Sequence, residues 1–236
     1  MNRLNQSWGR YTLMEWLIMA VFAYFFLVLE RMMLARLIIL FVSVVIHEVA
    51  HGVAALWCGD ETAKQHGRLT MNPIRHVDPL GSVVLPVMLV LSGSPFLFGW
   101  AKPVPVSTSR LNDPLNDMVK VAVAGPLSNI TLAVICSAGL KAVIGVAPRV
   151  VQTDAWIIEL LGYGVMINVV LAVFNMIPIP PMDGSRVVYR WLSPGGRSIL
   201  DRIEPYGILI IIMLSFFGVF GIVLRVVSLP IIHALL

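Results

Sequence analysis

Apolar residues run along this chain in blocks that are uniformly hydrophobic, with neither the one-sided stripe of a soluble helix nor the alternation of a half-buried strand. Five blocks, at roughly residues 11–30, 34–57, 118–140, 155–177 and 206–224, reach the ~20 residues needed to cross hydrocarbon as a helix. A sixth, at 80–100, is interrupted by Gly81, Pro86, Gly93, Pro95 and Gly99. That density of breakers fits a re-entrant hairpin as well as a sixth span, since Pro and Gly are tolerated in membrane helices, and the charge distribution of the loops favours the hairpin. The pattern therefore predicts an all-α membrane protein, a polytopic bundle of about five to six transmembrane helices. The first block is longer than the apolar core of a secretory signal and has no small-residue cleavage site, so it is expected as a retained helix.

Composition agrees with the pattern. Hydrophobic residues make up 58% of the 236 positions and charged ones 13%, and the mean hydropathy is +0.87. Those values leave no room for an independent soluble domain, and one transmembrane domain over residues 1–236 is expected, with its core at about 34–190. Cys58 and Cys136 match no metal spacing and supply no disulfide framework.

The net charge of +4 sits in loop lysines and arginines, where it reports orientation and not a nucleic-acid partner. With the amino terminus in the cytoplasm and 80–100 returning without crossing, Arg186, Arg190, Arg197, Arg202 and eight other cations face the cytoplasm. Arg31, Arg36, Lys141, Arg149 and Arg225 then face outside. A full crossing at 80–100 would invert every later loop and put the four clustered arginines outside, against the positive-inside rule.

Within the second block lies His47-Glu48-Val49-Ala50-His51. Ionisable groups inside an apolar span are costly and point to function. On a helix the two histidines fall one turn apart on one face, where both imidazoles reach one Zn²⁺, and Glu48 lies beside them as a general base. A catalytic zinc takes three protein ligands and keeps one position open. Asp183 is the leading third ligand, at the end of Asn175-Met176-Ile177-Pro178-Ile179-Pro180-Pro181-Met182-Asp183-Gly184, where prolines stiffen the backbone. Asp-Gly after proline is equally ordinary turn chemistry, and the residues alone leave both readings open. Glu159 ranks lower, since it starts its helix at the other side of the bilayer. His76 and Asp78 form a further polar pair that loop structure explains better than a second metal site; His66 and His233 have no partner in the sequence.

Three separated motifs resemble the site-2 protease family of intramembrane zinc metalloproteases. They are His47-Glu48-Val49-Ala50-His51-Gly52, Ala124-Gly125-Pro126-Leu127-Ser128-Asn129, and the Asn175 to Gly184 stretch. Gly67-Arg68-Leu69-Thr70-Met71-Asn72-Pro73 and Phe98-Gly99-Trp100-Ala101-Lys102-Pro103-Val104-Pro105-Val106 resemble a compact bacterial and archaeal branch without PDZ or CBS domains. The resemblance implies one zinc per chain held by His47, His51 and Asp183, with Glu48 activating water. It also implies Asn129 near the metal, as a polar group for the substrate backbone or the oxyanion. Ser185 stands where relatives often carry a second glycine.

The implied activity is zinc-dependent hydrolysis of peptide bonds within or near transmembrane segments of membrane-protein substrates, in a prokaryotic inner membrane with the site towards the cytoplasm. Partners are then a transmembrane protein or peptide substrate and the lipid bilayer. Residues 67–71 and 104–107 are expected as short β-strands near the cytoplasmic face, able to pair with an unwound substrate. The competing classes are a catalytically silent zinc-binding protein that holds client helices, and a zinc transporter. A transporter would need further His or Asp residues along the apolar segments, and apart from the named site there are none.

Overall fold

A computed structural model describes residues 31–92, 100–146 and 155–236. The block at 11–30 and the middle of the 80–100 block lie outside the described residues. Helix α1 (Arg31–Trp57) is followed by two short helices, α2 (Thr62–Gln65) and α3 (Leu85–Leu91), and then by α4 (Pro114–Val146) and α5 (Ala155–Asn175). Helix α4 packs on both α1 and α5 and is the centre of the bundle.

The three long helices are apolar outside and polar inside. Ile38, Val42, Leu127, Ile135 and Met166 are exposed, whereas Ser43, His47, His51, Asn129 and Asn168 are buried. This distribution inverts that of a water-soluble bundle and suits a hydrocarbon surround, where polar groups find their partners across helix interfaces. Small residues allow the close approach: a Cβ added at Gly164 of α5 would lie 2.7 Å from the Cys136 sulfur of α4.

After Asn175 the chain turns through the proline loop, whose Pro180–Pro181 peptide is cis. It continues in α6 (Asp183–Tyr189), α7 (Pro194–Ile203), α8 (Gly207–Phe216), α9 (Val219–Val223) and α10 (Leu229–Leu235). The pattern predicts a segment long enough to cross at 206–224, and the structure bends it. Helix α8 ends at Gly218, which has φ +72°, and the helices on either side of the break meet at 72°. A left-handed glycine stops a helix whatever the hydropathy around it. The far arm returns to the bundle through α10, where Ile232 packs with Ala133 and Val169 and Leu235 O accepts a hydrogen bond from Ser137 Oγ. Among the described residues, three helices are long and apolar enough to span a membrane, or four if the bent pair counts as one. Of the expected five to six, the span at 11–30 lies outside the described residues.

No β-strand occurs among the described residues, so the strands expected at 67–71 and 104–107 are absent. The reason is visible at the second segment, whose backbone donors go to carboxylates instead of a ladder. Val104 N donates to Glu48 Oε2 at 2.8 Å, and Ser107 N to Asp60 Oδ2 at 2.6 Å.

The 80–100 block begins as a helical turn over Pro79–Val84, whose first amides, Leu80 N and Gly81 N, donate to Asp78 Oδ1 at 3.0 and 2.7 Å. At its far end Trp100 N donates to Gly81 O at 3.2 Å, and Ser82 Oγ donates to Trp100 O at 2.8 Å. The chain therefore returns at residue 100 to the place it left at residue 81.

Candidate metal centre

Helix α1 carries His47 and His51 one turn apart on the face that meets α4. Both residues are buried, with 6% and 8% of their surface exposed. Helix α6 begins at Asp183, and Gly184 explains how it comes so near, because a Cβ there would collide with the carbonyl of Met176 at the end of α5. The proline loop is braced on its other side by Gly207, where a Cβ would lie 2.5 Å from Pro180 O.

The result is a compact triangle. His47 Nε2 lies 3.0 Å from His51 Nε2, and each is 3.2 Å from Asp183 Oδ2. Ligands at tetrahedral corners about 2.0–2.1 Å from zinc are roughly 3.3 Å apart, so the triangle has the size of one face of a zinc coordination shell. Its chemistry agrees with its size. His51 Nδ1 faces Val121 O at 2.7 Å, an atom that can only accept, so that nitrogen carries the proton. His47 Nδ1 donates to Asn129 Oδ1 at 2.6 Å. In the neutral imidazoles both Nε2 atoms are then lone pairs facing Asp183 Oδ2, which is buried and has no hydrogen-bond partner. With both imidazoles neutral, three acceptors converge here without a donor between them, an arrangement that suits a metal cation. Gly125 of α4 makes the room, since a Cβ there would stand 2.5 Å from His51 Nε2 and 2.6 Å from His47 Nε2.

Glu48 is partly buried beside the triangle. Its hydrogen bond from Val104 N orients the carboxylate. Gly52, one turn further along α1, lets that segment in, because a Cβ there would lie 2.9 Å from Val104 Cγ1. Asp60 anchors the same segment. Burial raises its pKa, but hydrogen bonds from the Thr62 side chain and from the Ser107 and Thr62 amides outweigh this and hold it below the ordinary aspartate value. At neighbouring Cys58, burial and the nearby Asp117 push the thiol up.

The other candidates lie elsewhere. Glu159 pairs with Arg36 of α1, whose guanidinium lies 5.8 Å from the Tyr163 ring centroid. His76 is buried, with Nε2 on Thr70 O at 2.9 Å, and Asp78 caps the following helical turn. Among the described residues, His47, His51 and Asp183 are the one group of three that could hold a metal. Asn129 is fully buried behind His47, its Oδ1 on the imidazole and its Nδ2 on Asn168 Oδ1 at 2.9 Å. Sequence reasoning passed over Asn168, Ser43 and Gly125. For the first two the signal was present, as polar residues inside apolar blocks; Gly125 stood in the Ala124 to Asn129 motif, but its spacing from the histidines was not visible there.

Comparison with known proteins adds an independent line. Residues 138–218 match Peptidase family M50, a stretch that contains Asp183 and not the two histidines. A Bacillus subtilis (strain 168) protein named putative zinc metalloprotease YwhC is 35% identical over 178 residues, covering 75% of this chain and 78% of that protein. The putative zinc metalloprotease Rip2 of Mycolicibacterium smegmatis is 30% identical over 172 residues, 73% of this chain and 62% of the relative. Over a shorter stretch of 72 residues the chain is 36% identical to the putative zinc metalloprotease MJ0611 of Methanocaldococcus jannaschii, covering 30% of this chain and 33% of that protein. No solved structure matches the chain.

Proposed function

Because the chain belongs to Peptidase family M50, the site-2 proteases, and is therefore a zinc metallopeptidase set among apolar helices, we propose that it cleaves peptide bonds within or near transmembrane segments of membrane proteins. The observation that carries this reading is the triangle of His47, His51 and Asp183, closed off between helices whose outer faces are apolar. One zinc per chain, held by these three side chains, is the cofactor we assign. When bound, zinc polarises a scissile carbonyl and acidifies water.

The protein's own part is geometric and acid–base. Val121 and Asn129 hold the two imidazoles with Nε2 directed inward. Glu48, oriented by the Val104 amide, takes the proton from the attacking water and returns it to the leaving amine. Gly125 keeps the space against the Nε2 atoms free of side-chain atoms. The single transmembrane domain, with its core at about 34–190, opens this site towards the cytoplasm of a prokaryotic cell, and the re-entrant block at 80–100 shapes the path for water. The hydrogen bonds between residues 81, 82 and 100 support that placement, since a full crossing would separate them by a bilayer.

The test uses purified full-length protein in lipid with a panel of membrane-spanning peptides. Glu48→Gln keeps an acceptor for the Val104 amide and removes the base. Zinc content should stay while kcat falls by about 10²–10⁴-fold, the usual contribution of a positioned base. Asp183→Ala should lose zinc while the protein still inserts in the membrane. Unchanged zinc in that variant moves the third ligand elsewhere. Zinc binding without Glu48-dependent cleavage would favour a silent protein that holds client helices.

A further inference from the structure

Three helices share one buried chain of hydrogen bonds behind His47. Asn168 and Gly164 belong to α5, Asn129 to α4, and Ser43 and His47 to α1. Ser43 and Asn168 are each 2% exposed and Asn129 is fully buried, so bulk water cannot substitute for any partner.

The direction of this chain can be read from its far end. Asn168 lies 2.9 Å from Gly164 O, and a carbonyl can only accept, so the atom facing it is the amide nitrogen. The same nitrogen reaches Ser43 Oγ at 3.0 Å. Asn168 must then turn its oxygen to Asn129, which donates through Nδ2 at 2.9 Å. A second acceptor-only atom agrees, since Asn129 Nδ2 is also 3.4 Å from Ser43 O. That leaves Asn129 Oδ1 facing His47 Nδ1 at 2.6 Å, and the imidazole proton belongs on Nδ1. An imidazole's tautomer is set by the partner of its other nitrogen, and ligand orientation behind a metal is set the same way.

We infer that Asn168 is a positioning residue: acting through Asn129, it locks His47 in the tautomer that presents Nε2 to the metal. The inference rests on the metal-centre reading. It also gives Asn129 a role behind the ligand in place of contact with the substrate, because both of its amide atoms are already engaged.

The experiment compares wild type, Asn168→Leu and Asn168→Asp as full-length zinc-loaded protein with ¹⁵N-labelled histidine rings. It reads zinc affinity by chelator competition and the ring nitrogens of His47 and His51 by NMR. His51 is the internal control, since it is held by Val121 O and not by this chain. Asn168→Leu should weaken zinc by about 10–100-fold, as removal of such supporting partners does, and should split or broaden the His47 signal while His51 keeps its own. Asn168→Asp, kept protonated by its burial, can donate its hydroxyl to Gly164 O while its carbonyl accepts from Asn129, and should recover affinity and the His47 signal. Wild-type affinity and an unchanged His47 signal in Asn168→Leu overturn the inference. So does equal disturbance of both rings in the two variants, which would mean lost packing and not a lost tautomer. A wild-type protein that binds no zinc at these rings would instead overturn the metal-centre reading itself.

Discussion

A methyl group on Gly125 would occupy the space into which both Nε2 atoms point, 2.5 and 2.6 Å from them. Gly125→Ala should therefore empty the site. Alanine favours a helix interior over glycine by about 1 kcal/mol, which offsets part of the cost of displacing the rings, so the variant should still insert and fold. Metal analysis together with thermal unfolding checks this, and full zinc occupancy in the alanine variant would show that Gly125 does not face the metal. The glycine carries no charge or side-chain donor, and although it stands in the Ala124 to Asn129 motif, nothing along the chain says that it faces the histidines. The histidines and Asp183 are legible by contrast, because a titratable group in an apolar block is conspicuous wherever it falls. Asn168 and Ser43 were equally conspicuous, but one residue's polarity does not say which distant residue it serves.

The segment 104–107 is joined to α1 through Glu48 and to the loop after α1 through Asp60, and the second joint can be tested by stability. Asp60→Ala leaves the Ser107 amide and the Thr62 groups without their shared acceptor. Loss of a buried partner costs about 1–3 kcal/mol, and denaturant unfolding in mild detergent should register it. Asp60 also sets a pH dependence. Its pKa is lower in the folded protein than the ordinary aspartate value, so its contribution is fully present above that unfolded value, about 3.9. It is lost as pH falls through the lower folded value, and the Asp60→Ala protein should show a flatter acid limb. Glu159→Gln, at the joint between α1 and α5, should leave zinc affinity unchanged, since Glu159 pairs with Arg36 and not with the triangle. At this scale the apolar blocks at 34–57, 118–140 and 155–177 anticipated Arg31–Trp57, Pro114–Val146 and Ala155–Asn175 closely. The bend inside the 206–224 block was not legible, because hydropathy measures what surrounds a helix and is blind to the φ of Gly218.

For the molecule as a whole, the orientation in the membrane is the property most open to attack. In a background with Cys58 and Cys136 replaced by alanine, Gly93→Cys should react with an impermeant thiol reagent from the cytoplasmic side; labelling from the outside alone would refute a re-entrant block. The sequence by itself determined that the chain enters a membrane, where its main spans lie, and which titratable residues can carry chemistry. Those follow from composition and spacing, because burying a charge or an apolar block in the wrong solvent costs more than any local preference recovers. Only the tertiary structure decided that 104–107 gives its amides to Glu48 and Asp60 instead of a strand partner, and that Asn129 stands behind His47. It alone decided that a glycine on α4 leaves room for a metal between α1 and α6. Hydrogen-bond direction and the space beside a missing Cβ depend on atoms that lie far apart in the chain, and a linear pattern carries no distance between them.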